Sequence, residues 1–163
     1  MKTSCFVLAL IVILALTACG RQETLETVAD EIVQPVMAQP REVEVRLPQG
    51  AVAPVLENGG AQLYMGADYE IMVETYTSGD LDATIKNLTG YDEEDLTVLK
   101  TERDGIPCYD FVWATTGERG PQLGRGVILD DGDYHYCLSV LRDADGEESQ
   151  IVWSDVFDSF TLS

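Results

Sequence analysis

Val43, Val45 and Leu47 alternate with Glu42, Glu44 and Arg46, the period-two pattern of a strand with one face buried. Two short strands are expected over 51–56 and 61–65, around the turn Asn58-Gly59-Gly60, and a longer one over 69–77 after a turn at Asp68. The period then changes. Leu81, Ile85 and Leu88 recur at i, i+4 and i+7 behind Ser78-Gly79-Asp80, with Asp80 and Asp82 in the first turn and Gly90 as a stop. This predicts a helix capped by Ser78. An acidic loop, 91–95, leads to a strand over 96–101.

Three strands follow, over 106–115, 123–129 and 134–141. Tyr109, Phe111 and Trp113 share a face of the first, and Tyr134, Tyr136, Leu138 and Val140 a face of the third, opposite His135, Cys137 and Ser139. Within Asp130-Asp131-Gly132-Asp133, the pair Asp131-Gly132 is a strong two-residue hairpin signal. After a turn at 143–146, residues 147–159 read as a last helix whose apolar side is Ile151, Val152, Trp153, Val156 and Phe157. A short strand or tail, 160–162, closes the chain. The five aromatics Tyr109, Phe111, Trp113, Tyr134 and Tyr136 are expected on one sheet face, as core beneath helices.

Strands, helix, strands, helix is the order of an α+β domain, an antiparallel sheet with two main helices packed on it. That order, with a final helix ending Asp158-Ser159-Phe160, resembles the PsbP-like α/β/α sandwich over residues 43–163. The resemblance implies a non-enzymatic binding or assembly role.

The first residues are organised differently. Met1-Lys2-Thr3-Ser4 carries one positive charge and precedes an apolar run from Cys5 to Leu16. That run is shorter than the roughly 20 residues a membrane-crossing helix needs, and the layout is that of a secretory leader. Leu16-Thr17-Ala18-Cys19 then resembles the lipobox of bacterial lipoprotein precursors. The resemblance implies a diacylglycerol on the sulfur of Cys19, cleavage between Ala18 and Cys19, and a partner in the membrane itself, since two acyl chains anchor stably where one does not. Residues 1–18 are thus expected to be a signal peptide, 19–42 a lipidated flexible tether, and 43–163 one domain on the extracytoplasmic side of the cell membrane. The stretch from Gly20 to about Pro48, with Pro35, Pro40 and Pro48, reads as an extended spacer in its later part, with room for a short helix over 24–33.

Charge narrows the partners. Ten Lys and Arg stand against 29 Asp and Glu, a net charge of −19, and loss of Lys2 with the leader deepens it by one. Nucleic acid, which needs a basic patch, is excluded; the charge serves solubility first.

Candidate chemistry is sparse. With Cys5 in the leader and Cys19 acylated, Cys108 and Cys137 remain as a candidate disulfide in an oxidising compartment. The hairpin register puts residue 137 opposite about 126 and residue 108 opposite about 129, two strands apart. That is about 9.6 Å across the sheet and about 10 Å along it, beyond the roughly 7 Å a bridge allows, so two small buried thiols are the expectation. His135 is the only histidine, too few partners for zinc and about 6.7 Å from Cys137 along a strand. Asp130, Asp131 and Asp133 are weak metal candidates; the hairpin turn accounts for them, and the calcium-loop pattern is not met.

Gly117, Gly120, Gly124 and Gly126 are turn and strand glycines. No serine-hydrolase, zinc-protease or phosphate-loop motif is present, and no cofactor is implied. The expectation is a tethered non-catalytic module that binds or assembles with a protein or small molecule. The alternatives are an envelope hydrolase using acidic residues such as Asp110 or Glu118, which needs two carboxylates about 5–9.5 Å apart, and cation capture by the acidic turns.

Overall fold

The computed structural model describes residues 38–51, 54–118, 120–146 and 150–163, with 150–152 by backbone alone. The leader, Cys19, the helix expected over 24–33, residues 147–149 and the side chains of Ile151 and Val152 lie outside the described residues.

Among the described residues nine strands and two α-helices run β1 Val43–Glu44, β2 Leu56–Asn58, β3 Ala61–Met65, β4 Tyr69–Thr77, α1 Leu81–Thr89, β5 Leu99–Arg103, β6 Ile106–Gly117, β7 Gly120–Asp130, β8 Tyr134–Asp143, α2 Gln150–Asp158 and β9 Thr161–Leu162. Seven strands form one antiparallel sheet in the order β2-β3-β4-β8-β7-β6-β5, and β1 pairs separately with β9.

This corrects the expected α+β class. About 50% of the described residues are strand and 15% helix, so the domain is mostly β, and the α/β/α layering implied by the PsbP-like resemblance falls with it. Dimensions give the reason. A nine-residue helix is about 13.5 Å long, whereas seven strands spaced at about 4.8 Å span about 29 Å. The helices cannot cover the sheet, and strand pairing carries most of the structure. The strands are also longer than their apolar runs suggest. Thr116 and Pro121 pair within the ladder, as do Gln122 and Asp143, all of them outside the strands expected over 106–115, 123–129 and 134–141.

Turn chemistry sets the register. Asp104 and Gly105, at φ 52° and 77°, form the two-residue loop of the β5–β6 hairpin, with Arg103 opposite Ile106. Two positive φ values make this a type I′ turn. At the other Asp-Gly pair the loop moves one residue on. Asp130 pairs with His135, the Asp131 N–H donates to the Tyr134 carbonyl, and Gly132 takes φ 93° at the first loop position, as type II′ requires. Cys137 therefore lies opposite Ile128 rather than residue 126, while Cys108 lies opposite Leu129 as expected.

Both sheet faces carry core. On one, Ile71, Val73, Val127, Leu129, Tyr136, Leu138 and Val140 pack with Trp153, Val156, Phe157 and Phe160. On the other, Phe111, Trp113, Ile128 and Cys137 pack with Ile85 of α1. Neighbours in sequence such as Val127 and Ile128 point to opposite faces, and both are fully buried. Burial of one such side chain stabilises by about 1.5–3 kcal/mol. The five aromatics do not share a face. Tyr109, Phe111 and Trp113 belong to the α1 side, and Tyr134 and Tyr136 to the α2 side.

Candidate functional site

β6, β7 and β8 place Val112, Leu123, Arg125, Val140 and Arg142 on the sheet face that meets α2. With Trp153, Ser154 and Phe157 of α2 they line an open groove of about 690 Å³. Its mouth is apolar and exposed: Val112 is 62% and Leu123 40% accessible. Where α2 covers the sheet the same face is core, as at Val140 and Phe157. The groove is thus the margin where a helix too short for the sheet stops.

Two arginines line this groove in a strongly acidic chain, and they are used differently. Arg125 is held bidentately by Asp110, its Nε 3.1 Å from Oδ1 and its Nη2 2.5 Å from Oδ2. Val112 is the residue directly opposite Arg125, so Asp110 is its diagonal neighbour across the ladder. The guanidinium also lies over the Phe157 ring, 4.2 Å from its centre. Arg125 is therefore a neutralised, fixed wall. Arg142 is half-buried, and no hydrogen bond or ion pair of its side chain occurs among the described residues. The third polar group is the Trp153 indole, packed edge-on against Tyr69 at 5.1 Å. Its Nε1–H is the one buried side-chain nitrogen or oxygen without a partner among the described residues.

A second polar cluster lies at the start of α1. Ser78 does not cap the helix; the Asp80 carboxylate does, accepting from the Asp82 N–H at 3.1 Å. Ser78 turns inward instead, donating to Asp130 Oδ1 at 3.2 Å and lying 3.4 Å from Nε2 of His135. His135 is 1% exposed, and its Nδ1 is 2.8 Å from the Thr84 hydroxyl. A serine, a histidine and an aspartate meet here, but not as a relay. Asp130 approaches the same ring nitrogen as Ser78, at 3.7 Å, and the other nitrogen goes to threonine. A nucleophile's base needs its orienting carboxylate on the opposite nitrogen. The cluster instead satisfies a buried imidazole that joins strand to helix.

The acidic hairpin is occupied by its own turn. Asp130 accepts from the Gly132 N–H, and Asp131 accepts from the N–H groups of Asp133 and Tyr134 and from the Tyr136 hydroxyl. Among the described residues no group of three or more His, Cys, Asp or Glu is placed to hold a metal. The Tyr134 hydroxyl donates to the Ala38 carbonyl and the Arg41 N–H donates to the Tyr136 hydroxyl, so residues 38–41 lie along this hairpin.

Cys108 and Cys137 are free buried thiols. They sit on opposite faces of the sheet with β7 between them. Burial, aided by Glu74, pushes the Cys137 thiol far above its usual range. Asp110 is engaged by Arg125, and Glu118 lies in the exposed turn after β6, eight residues along the chain. That separation is roughly 25 Å along a strand, so these two are not brought together as a hydrolytic pair.

The strand glycines have a packing role. A Cβ on Gly124 would lie 2.2 Å from the Trp113 ring, and one on Gly126 2.6 Å from the Phe111 ring. Each aromatic lies across the glycine it pairs with.

Compared with protein-family models and with curated proteins, the chain matches none.

Reading the sequence as elements misses Arg125, Arg142 and Trp153 as one site. The available signal is a repeat of apolar-x-Arg, Leu123-x-Arg125 and Val140-x-Arg142, on two strands that the Asp-Gly turn makes neighbours.

Proposed function

We propose that the protein is a membrane-anchored extracytoplasmic lipoprotein whose mostly-β domain is a non-catalytic binding module. Loss of residues 1–18 leaves Cys19 as the acylated first residue, and the stretch to residue 42 tethers the domain. The observation that carries the binding role is the α2-side groove. Its walls are largely apolar, its volume of about 690 Å³ falls in the range of small-molecule sites, and it holds Arg142, whose side chain has no partner among the described residues. The lipobox-like segment Leu16-Thr17-Ala18-Cys19 supports the anchor. Neither support depends on the PsbP-like layering that the fold overturns.

Two measurements on the protein expressed from its full sequence in a bacterial host test this reading. Mass spectrometry of the mature N-terminus is expected to show an acylated Cys19, and Cys19→Ala to leave the leader uncleaved. Native mass spectrometry of the protein purified from membranes is expected to show a small molecule that survives buffer exchange and is lost from a Val112→Glu variant. An unmodified, freely released chain would remove the anchor. A purified protein with no bound species and no affinity for any small amphiphile would remove the binding role.

A further inference from the structure

We propose that the groove selects amphipathic monoanions, small molecules with an apolar body and a single carboxylate or sulfonate, with the anionic end on Arg142. This rests on the reading of the domain as a binding module and names the chemistry it binds.

The argument begins with a conflict of scales. The whole chain carries −19, and a field of that sign draws cations and repels anions. The groove is built the other way. Arg125 and Arg142 both line it, and Asp110 meets Arg125 through two hydrogen bonds. Among the described residues this leaves the charge of Arg142 without a partner. A guanidinium presents five donors in a planar fork that matches a carboxylate bidentately, and Arg142 uses none of them on another described residue. It is also half-buried beside apolar wall, where screening by water is weaker than at an open surface.

The walls set the rest of the ligand. Val112 and Leu123 hold exposed apolar area at the mouth, and Val140, Trp153 and Phe157 close the inner side. An apolar body buries that area at about 25 cal/mol per Å². A neutral body leaves Arg142 unmet, and a cationic one meets it with like charge. A multiply charged anion meets one free guanidinium and pays the repulsion of the acidic surface for every further charge. One negative charge on an apolar frame is the chemistry that satisfies both parts.

The test uses three water-soluble probes of one shape: 4-phenylbutyrate, 4-phenylbutanol and 4-phenylbutylamine. Each is titrated into the protein purified from membranes, held in zwitterionic nanodiscs where acylated. Binding is followed by calorimetry and by tryptophan fluorescence, since Trp153 lines the groove. Phenylbutyrate is expected to bind at least about tenfold tighter than the alcohol or the amine, and to weaken with added salt. Arg142→Gln is expected to cost that preference, and Arg142→Lys to keep part of it. Val112→Glu, at a position already open to solvent, is expected to weaken phenylbutyrate without lowering thermal stability. If the alcohol or amine binds as tightly as the acid, or Arg142→Gln leaves the preference intact, the anion selectivity is overturned while the binding groove stands. If none of the three probes binds, the anion selectivity falls, and the binding role falls with it when native mass spectrometry also finds no bound species.

Discussion

His135 and Thr84 are joined by a 2.8 Å contact between Nδ1 and the threonine hydroxyl, buried where β8 passes under α1. Thr84 also reaches back to the Asp80 carbonyl, so the pair ties a strand to the first turn of the helix. Thr84→Val keeps the shape and removes the partner. Leaving a buried imidazole nitrogen unmet costs about 1–3 kcal/mol, and the urea midpoint is expected to fall accordingly, with Thr84→Ser recovering most of it. Equal midpoints for Thr84→Val and the parent would show that the pair contributes nothing.

Arg103 closes the other end of the domain. Its Nη1 donates to the carbonyl oxygens of Phe157, at 2.7 Å, and Phe160, at 2.8 Å, where α2 ends and its last carbonyls lack helical partners. Arg103→Ala is expected to destabilise by about 1.5–3 kcal/mol, the range for hydrogen bonds to a charged group. Hydrogen exchange at 157–163 should quicken. Unchanged exchange there would mean that the C-terminal segment is held by its apolar contacts alone.

Asp131 supplies the acid dependence. Partial burial pushes its carboxyl up, but hydrogen bonds from Tyr134, Tyr136 and Asp133 and the charge of Arg41 outweigh this and hold it below its ordinary value. A depressed carboxyl contributes stability above its unfolded value, near 3.9, and that contribution is lost as pH falls through the lower folded value. Asp131→Asn is therefore expected to be less stable than the parent at pH 6, with the gap narrowing below about pH 4. A gap that stays constant from pH 6 to pH 3 would contradict the assignment.

Cys108 and Cys137 are predicted to stay reduced. Thermal unfolding should be the same with and without reductant, and maleimide should label both only after denaturation, because the buried Cys137 thiol is held protonated. A downward shift in melting temperature on adding reductant would reveal a bridge between these thiols.

Gly124 is required beneath Trp113. Gly124→Ala puts a methyl where the ring lies, 2.2 Å away, and forcing such contacts in a packed core costs about 1–3 kcal/mol. Melting temperature should drop and the Trp113 emission should shift. Neither change would be seen if the ring moved aside freely.

Local chemistry made much of the chain legible. Alternation located the long strands because a strand buried on one face repeats every two residues, and Gly90 ended α1 because its φ of 82° suits a residue without a side chain. The Asp-Gly pair foretold the hairpin that brings β7 beside β8. The leader expected over 1–18 and its lipobox-like end likewise rest on a short contiguous segment, which lies outside the described residues. What local patterns do not carry is the meeting of distant segments. They give no count of the strands that join one sheet, so they overstated the helices and missed a sheet too wide for them to cover. They placed five aromatics on one face, although Tyr109, Phe111 and Trp113 lie opposite Ile128, Gly126 and Gly124, whose partners on β8 are the odd-numbered residues facing away from Tyr134 and Tyr136; the one-residue move of the loop shifts partners by two and leaves each face as it was. They left Arg142 without a role, one residue past the strand expected over 134–141. Only the assembled sheet, partly covered by α2, puts that arginine in one groove with Val112 of β6 and Trp153 of the helix, with no partner for its side chain among the described residues.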